Sequence, residues 1–464
     1  MVPVHGRPDD PSGLPPVVHH RDACSPLCHP AVSRAYTAWV QHLPDRAHAQ
    51  APFPIGASVL YIHWEYAIID NMDQHSQPTP APALIDTTDA LQAMLERLVA
   101  ESAVAVDTES NSLYAYNERA CLIQFAVPGQ DYLVDPLAFE DLSSLGRFFA
   151  APGIEKVFHA AEYDVMVLRR DFGFEFANLF DTMIASRIVG WPHYGLGSLL
   201  AEHFGIQTDK RMQRTNWGQR PLSAQQIRYA QVDVHYLLPL RDRLVAELKR
   251  RGRVEEARTA FNRVAQSEWS SRGFDPHGFW RIRGVEALDE TGLAVLRALY
   301  LYRDQRARAM DRPPFKVFSD HVLLSLSQAR PKSWPELQQI RGLPRYLSSR
   351  ERKQLLSAIE EGLTSAPPKR PRRERNGGYD QAILDRYEAL RKWRNARAAS
   401  RGVEPDVILS NRTLHLLARH NPTTPAKLET RDLLSEWERQ EYGGEIIAVL
   451  NGQLQPDLTG EHKT

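Results

Sequence analysis

Four acidic residues in three separated segments are the part of this sequence best suited to chemistry. They are Asp107 and Glu109 in VAVDTES, Asp164 in FHAAEYDVMVL and Asp233 in YAQVDVHYLL. Carboxylates are the ligands that magnesium and manganese prefer, and four of them close together would repel one another without a cation. We therefore expect these side chains to hold two divalent cations, Mg²⁺ or Mn²⁺, as in enzymes that hydrolyse phosphodiesters.

Two local elements must position these carboxylates. Asp107 and Glu109 lie two positions apart in a β-type run, so both side chains project from the same face of the strand. An S-x-x-Q capping box that begins at Ser223 opens a helix. That helix places Tyr229 and Asp233 one turn apart on one face. The phenol of the tyrosine therefore lies beside a candidate metal ligand.

The alternative for each acidic residue alone is an ordinary structural one. A single aspartate is more often a helix cap or a solvated surface charge than a metal ligand, and the pattern D-x-E is common by chance. The order and spacing of all four residues, together with the Tyr-x-x-x-Asp pair, favour one assembled site.

The elements around these residues alternate between strands and helices from Asp86 onward. A first helix buries Leu91 and Leu98 and is capped by Asp86 or Thr87. Five β-type runs follow at residues 104–108, 121–127, 132–134, 156–159 and 180–182. Closely spaced strands indicate hairpins, and the later alternation of strand and helix predicts a mixed five-stranded sheet with helices on its faces.

Bulk composition indicates a cytoplasmic protein of several domains. The chain has 464 residues, and its 57 basic and 57 acidic side chains cancel, so any nucleic-acid surface must be local. Three cysteines, Cys24, Cys28 and Cys121, provide no disulfide framework. No apolar run reaches the roughly 18 residues of a membrane span, so we expect no membrane partner.

The first 80 residues differ from the rest. Prolines and histidines recur, and QPTPAPA at 77–83 is typical of an extended linker, so we expect residues 1–80 to be poorly ordered. One cluster could bind zinc, although its spacing is weak and a disordered tail is favoured: His19, His20, Cys24, Cys28 and His29. Met72 is a second candidate for the true start of the protein.

Three motifs resemble those of the ribonuclease D family, in the DEDDy superfamily of 3′–5′ exonucleases. They are DTE at 107–109, HAAEYD at 159–164 and Tyr229 with Asp233. Supporting matches are CLIQ at 121–124, FDT at 180–182 and TDKRMQRTNW at 208–217. The resemblance covers about residues 85–250 and implies a ribonuclease H-like α/β fold. Ser110 departs from the pattern, because an aromatic residue often follows the glutamate.

The resemblance also implies a role for each motif residue. Asp107 would contact both cations. Glu109 and Asp233 would complete the site of the cation that activates the nucleophile, and Asp164 would hold the second cation, largely through water. Glu109 would also contact the terminal 3′-hydroxyl group. Tyr229 would orient the attacking water.

Other polar residues near the motifs have two interpretations. His159 could be a general base, but its place at the end of a strand favours a buried, hydrogen-bonded residue. Lys210, Arg211 and Arg214 are candidates for phosphate contacts, with Trp217 stacking on a base of a single strand. A solvated basic loop is the alternative for this segment.

The C-terminal half contains an internal repeat. A shift of 91 positions superimposes Leu299, Arg303 and Ser319 on Leu390, Arg394 and Ser410, among other matches. The first copy, with RPPFKVFSDHVLLSLSQARP, resembles the helicase-and-RNase-D C-terminal (HRDC) domain. The second is a diverged copy without the FKVFSD form.

The predicted organisation has seven parts. They are an N-terminal extension (1–80), an exonuclease domain (81–255), a helical connector (256–287), an HRDC domain (288–365), a basic linker (366–378), an HRDC-like domain (379–455) and a tail (456–464). The linker APPKRPRRERNGG could hold RNA or act as a solubilising spacer.

These features together predict a metal-dependent 3′–5′ exoribonuclease that releases 5′-mononucleotides. We expect it to act as a monomer on single-stranded 3′ ends of RNA, in the maturation of tRNA and other structured precursors. A DNA exonuclease is the alternative within enzymes, since sugar choice depends on 2′-hydroxyl contacts. A non-catalytic scaffold that binds nucleic acid is the alternative from another class.

Overall fold

The computed structural model describes residues 80–269, 273–370, 380–430 and 433–453. The candidate zinc cluster, the second start at Met72 and most of the basic linker lie outside these residues. None of the described helices combines the length and apolar character that crossing a membrane requires.

A six-stranded mixed sheet forms the centre of the N-terminal half, in the strand order β1-β4-β3-β2-β5-β6. The strands are β1 Ala83–Ile85, β2 Ala103–Ser110, β3 Ala120–Val127, β4 Gln130–Val134, β5 Glu155–Phe158 and β6 Leu179–Asp181. β3 pairs antiparallel with both β2 and β4, whereas the other neighbours are parallel. The five predicted runs coincide with β2 to β6.

The sheet has one strand more than the five predicted. β1 pairs in parallel with β4, and Leu84 lies opposite Leu133. The prediction was wrong here because β1 has three residues and follows a proline-rich segment, so its first residue was assigned to a linker. A strand this short carries too little alternation to be recognised.

Eight helices accompany the sheet and together with it form the sheet domain (residues 83–265). They are α1 Thr88–Leu98, α2 Ser143–Ala150, α3 Glu162–Phe172, α4 Thr182–Val189, α5 Leu196–Phe204, α6 Ala224–His235, α7 Leu237–Arg250 and α8 Val254–Ala265. Thr87, rather than Asp86, caps α1, and Leu91 and Leu98 are buried as predicted. Val104, Ala105 and Val106 are all fully buried, so both faces of β2 are covered.

Two helical modules follow the sheet domain. The first helical module (residues 290–364) contains α9 Glu290–Ala309, α10 Pro314–Val317, α11 Asp320–Ala329, α12 Trp334–Leu337 and α13 Ser349–Thr364. The second helical module (residues 381–450) contains α14 Gln381–Arg401, α15 Pro405–Ile408, α16 Asn411–His420, α17 Pro425–Glu429 and α18 Glu436–Leu450. Each module has its own hydrophobic core.

The 91-residue repeat is visible in equivalent hydrogen bonds of the two modules. Buried Arg303 donates to the carbonyl oxygen of Phe318 at 3.0 Å, and buried Arg394 donates to that of Leu409 at 2.9 Å. Both pairs are related by the same shift. The arginine therefore has the same structural task in each copy, which is to satisfy a buried carbonyl group.

The second helical module packs directly on the sheet domain. Arg401 forms a buried ion pair with Glu256 of α8, with side chains 14% and 5% exposed, respectively. Arg187 of α4 also binds Glu404 and Asp406, at 2.7 and 2.6 Å. These contacts join helices that are far apart in sequence into one interface.

A pair of glycines lies in the same interface. Gly190 has a φ of +80°, and a Cβ atom at this position would collide with the carbonyl oxygen of Gly402. Only glycine therefore allows the two backbones to approach as closely as they do.

Arg401→Met should destabilise the protein by about 3–5 kcal/mol, because it leaves the carboxylate of Glu256 buried without its partner. Urea unfolding measures the loss. The double variant Glu256→Gln/Arg401→Met should recover most of it, because neither buried charge remains. Arg263→Gln, which removes the more exposed pair with Glu438, is the matched control. A loss for Arg401→Met no larger than that of this control would contradict the prediction.

Candidate metal and nuclease site

All five motif residues line one open cavity of about 480 Å³. Asp107 and Glu109 lie near the end of β2, and Asp164 lies in the first turn of α3. Tyr229 and Asp233 project from α6, which begins at the predicted capping box of Ser223 and Gln226. Local rules of strand and helix therefore bring distant segments to one place.

Asp107, Glu109 and Asp233 form the tightest group of carboxylates. One ligand atom from each lies within 4.8 Å of the other two, and no other cluster of three or more potential metal ligands occurs among the described residues. Three carboxylate oxygens so close suit a hard divalent cation. The trio thus matches the ligand chemistry of magnesium or manganese.

Asp164 lies beside the trio and is held in place by a hydrogen bond from β2. The hydroxyl group of Thr108 donates a hydrogen bond to its carboxylate. Strand alternation separates Thr108 from the two acidic neighbours on β2, and the pairing of β2 with β3 is irregular between Glu109 and Ser110. Asp164 remains close enough for its negative charge to raise the pKa of Asp107.

The carboxylates oppose one another electrostatically. Burial, followed by the charges of Asp164, Asp233 and Glu109, holds the pKa of Asp107 well above its ordinary value. Burial also raises the pKa of Asp164 and of Asp233 to about 7. All the carboxylates are therefore difficult to ionise together without a counter-charge, which is the charge environment expected of a cation site.

Tyr229 is fixed as a hydrogen-bond donor. Its hydroxyl group hydrogen-bonds to Asp233, which lowers the pKa of that carboxyl group against the larger effect of burial. Burial and the charges of Asp233 and Glu109 raise the pKa of the phenol, while a hydrogen bond from Gln213 opposes the shift. The phenol therefore stays protonated at neutral pH and is suited to orienting a water molecule rather than to accepting its proton.

Family comparisons agree with this geometry. A family model described as "3'-5' exonuclease" matches residues 82–249, and the model of the HRDC domain matches residues 292–359 and 383–450. Ribonuclease D of Gluconacetobacter diazotrophicus is 30% identical over 379 residues, which cover 81% of this chain and 94% of that protein. The chain belongs to the ribonuclease D family.

Solved structures of the family have the same architecture. The crystal structure of Escherichia coli RNase D is similar over 81% of this chain and 100% of that one, with a TM-score of 0.54 and 28% identity. The catalytic core of RRP6 from Trypanosoma brucei gives a TM-score of 0.57 and 29% identity, over 61% of this chain and 81% of that one. Membership of the family confirms the α/β exonuclease fold followed by HRDC domains, and makes the chain a hydrolase of the 3′–5′ exoribonuclease type.

His159 lies in the cavity but is held in a neutral, structural state. Its Nδ1 atom is 2.9 Å from the hydroxyl oxygen of Thr182, which itself donates to the carbonyl oxygen of Phe158. Nδ1 must therefore carry a proton. Burial lowers the pKa of the imidazole to about 4. This agrees with the interpretation of His159 as a hydrogen-bonded residue.

Trp217 does not have the role predicted for it. Its side chain is only 1% exposed and packs against Tyr229, with ring centroids 6.1 Å apart. A buried ring has no face to offer a base, so the prediction of stacking was wrong. Trp217 instead anchors its loop in a small core that contains Cys121 and Ile227.

The basic residues before Trp217 are all exposed. Lys210 lines the cavity, whereas Arg211 pairs with Asp209 at 2.7 Å and Arg214 ends a short 3₁₀ turn. Lys210 is therefore the residue of this segment best placed to meet a phosphate group of a bound strand.

Sequence reasoning did not identify Tyr163 as a residue that lines the cavity. It lies in α3 next to Asp164, and its hydroxyl group donates to Glu118 at 2.9 Å and contacts Ser110 at 3.1 Å. Ser110 is the position at which the sequence departs from the family pattern. An aromatic ring is therefore present beside the site, but it comes from the neighbouring helix, and the tyrosine within HAAEYD was the available signal.

Asp233→Asn should stabilise the metal-free protein at pH 8. The raised pKa of about 7 means that Asp233 stabilises the fold below its ordinary value of 3.8 and loses this contribution as the pH rises through 7. Thermal unfolding in chelator should show a midpoint higher by roughly 2 °C or more at pH 8, since 1 kcal/mol corresponds to about 2–4 °C. The difference should shrink at pH 5.

The matched control is Asp141→Asn. Asp141 is exposed, and hydrogen bonds from Ser143 lower the pKa of its carboxyl group. This variant should not stabilise the protein at pH 8. A midpoint for Asp233→Asn at or below that of the wild type at pH 8 would show that the buried, ionised carboxylate of Asp233 does not destabilise the metal-free protein.

Proposed function

We propose that the protein is a two-cation exoribonuclease that removes 5′-mononucleotides from single-stranded 3′ ends, and that it trims structured RNA precursors such as those of tRNA. The observation that carries this proposal is the trio Asp107, Glu109 and Asp233 within 4.8 Å, with Tyr229 adjacent. The E. coli relative of known structure is "an exoribonuclease involved in structured RNA processing", which supports the proposed substrate class.

The carboxylates fit two cation positions. The trio would hold one cation, and Asp107 with Asp164 would hold the other. Once bound, the two cations would lower the pKa of the attacking water and offset the negative charge on the leaving oxygen. The raised pKa values of all four carboxyl groups support this assignment, since they indicate sites that lack a counter-charge.

Tyr229 would set the direction of attack. Its proton is committed to Asp233, and Gln213 donates to its oxygen, so the ring and hydroxyl group are held in one orientation. A remaining lone pair can accept a hydrogen bond from the attacking water. This would place the water in line with the leaving oxygen without any change in the protonation of the phenol.

Other residues of the cavity would select the end of the strand. Glu109 of the trio is half-buried, and it would also meet the terminal 3′-hydroxyl group. Lys210 is exposed at the cavity and would meet a phosphate group. All these residues come from one chain, so the site requires no second subunit, which supports action as a monomer.

One incubation tests polarity, sugar and metal together. Matched 3′-labelled and 5′-labelled RNA and DNA are treated with the protein in magnesium, manganese or chelator. We expect immediate release of a labelled mononucleotide from the 3′-labelled RNA, a ladder from the 5′-labelled RNA, and no cleavage in chelator. Faster cleavage of DNA would favour the DNA exonuclease. Binding without cleavage under any condition would favour the non-catalytic scaffold.

Tyr229→Phe should slow the chemical step by about 10²- to 10⁴-fold, the usual effect of one water-orienting group. Single-turnover cleavage of labelled RNA measures the rate. Tyr236→Phe removes the same hydroxyl group from a tyrosine that packs on Phe204 outside the cavity, and it should retain the wild-type rate. Equal rates for Tyr229→Phe and wild type would show that Tyr229 is only a packing residue.

A further inference from the structure

An exposed basic segment, called the basic loop (residues 341–350), comprises most of the connection between α12 and α13 and the first two residues of α13 in the first helical module. Tyr346 in this loop is 96% exposed. Arg341, Arg345 and Arg350 are also exposed, and within the described parts of the chain none of their three side chains makes a hydrogen bond or an ion pair. The loop therefore presents one aromatic ring and three free positive charges to solvent.

Folding does not explain the exposure of these side chains. Leu343 and Leu347 anchor the loop in the core of the module. Arg352 stacks on Trp334 at 3.8 Å and donates to the carbonyl oxygen of Leu347 at 2.7 Å. These contacts fix the position of the loop on the core of the module. Tyr346 nevertheless remains in water, although burial of its ring would stabilise the fold.

The connection equivalent to the basic loop is shorter in the second helical module. Its capping box at Ser435 corresponds to that at Ser348 of the first module, yet the spacing from Leu428 to Ser435 is four residues shorter than that from Leu337 to Ser348. Tyr346 has no counterpart in this shorter connection. When the capping boxes are aligned, Arg350 falls on a tryptophan that packs on the second module's core.

Acidic side chains of the second module bind the sheet domain. Glu404 and Asp406 bind Arg187, and Glu438 binds Arg263. These acidic side chains have partners in the sheet domain, whereas Arg341, Arg345 and Arg350 of the first module have none among the described residues.

The basic loop is next to α9, the helix that also contacts Tyr116 of the sheet domain. Asp304 and Arg308 in the last turns of α9 bind the hydroxyl group of Tyr116 at 2.6 and 2.7 Å. On the same stretch, Arg306 pairs with Glu351, directly after the loop. Residues two apart on a helix point about 200° apart, so the two contacts lie on opposite sides of α9.

Tyr116 belongs to the segment that follows the metal-ligand strand. Tyr114 lies in the same segment, and the Nζ atom of Lys316 of the first module is 3.4 Å from the centroid of its ring. The hydroxyl group of Tyr114 donates to the carbonyl oxygen of Arg214 at 2.7 Å. The first module is therefore in contact with the segment that follows the metal-ligand strand.

A polar groove adjoins the basic loop. Its volume is about 480 Å³, and it is lined by Tyr302, Gln305, Arg306, Ala309, Ser348, Arg350, Glu351 and Gln354. Arg306 pairs with Glu351, so Gln305, Arg350 and Gln354 are hydrogen-bond donors that this concave surface offers next to an exposed aromatic ring. This combination is typical of sites that hold the backbone and stack the bases of a single strand.

We propose that the basic loop and its groove bind the single-stranded RNA that leads to the 3′ end, and that the second module braces the sheet domain without binding RNA. Tyr346 stacks on a base, and Arg341, Arg345 and Arg350 neutralise phosphate groups. The proposal rests on the proposed exoribonuclease function and adds a second contact point for the same substrate.

Two variants of the full-length protein test the site. They are Tyr346→Ala and Arg345→Gln/Arg350→Gln, and the readout is kcat/KM on a long single-stranded RNA divided by kcat/KM on a trinucleotide. Either variant should lower this ratio about fivefold or more, the usual effect of losing one stacked base. The arginine variant should also flatten the salt dependence of log(kcat/KM) on the long RNA by roughly 0.7 for each lost phosphate contact.

The control is Arg412→Gln/Arg419→Gln, which removes the same charge from exposed positions of the second module. It should leave both the ratio and the salt dependence unchanged. An unchanged ratio in both loop variants, or an equal loss in the control, overturns the proposal. A wild-type protein that degrades neither RNA overturns the proposed function itself, whereas an active wild type with unaffected loop variants overturns only the binding site.

Discussion

Repulsion among buried carboxylates is the constraint on which the rest of the structure depends. Asp107, Glu109 and Asp233 lie within 4.8 Å of one another, with Asp164 beside them. The fold opposes this repulsion with rigid elements: a strand in the interior of the sheet and a helix fixed at its start by a capping box. The stability of the core is what allows the chain to keep a cluster of groups that are difficult to ionise together.

Sequence reasoning succeeded where short-range rules act. The D-x-E pair and the Tyr-x-x-x-Asp pair depend on strand alternation and helix periodicity, which relate residues a few positions apart. It failed where the outcome depends on tertiary surroundings. Trp217 follows three basic residues, and that pattern is the same whether the ring faces solvent or, as here, the core. Tyr163 was overlooked because its position beside Ser110 links two segments that are distant in sequence.

The repeat illustrates the same division at the scale of domains. The shift of 91 positions predicted two related helical modules, and Arg303 and Arg394 make equivalent bonds in them. The repeat did not reveal which faces of the modules pack against other parts of the chain. That depends on partners such as Arg187 and Glu256, which lie more than a hundred residues away and outside the repeat.

The close approach of Gly190 to Gly402 has a consequence for how this protein can change. At the tightest point of that interface two backbones meet, so no rotamer adjustment can shift the contact. Every side chain is excluded at Gly190, both by collision with the carbonyl oxygen of Gly402 and by its φ of +80°. Any other residue at position 190 would therefore force the two main chains apart at this point, whereas side-chain contacts elsewhere in the interface can adjust through their rotamers.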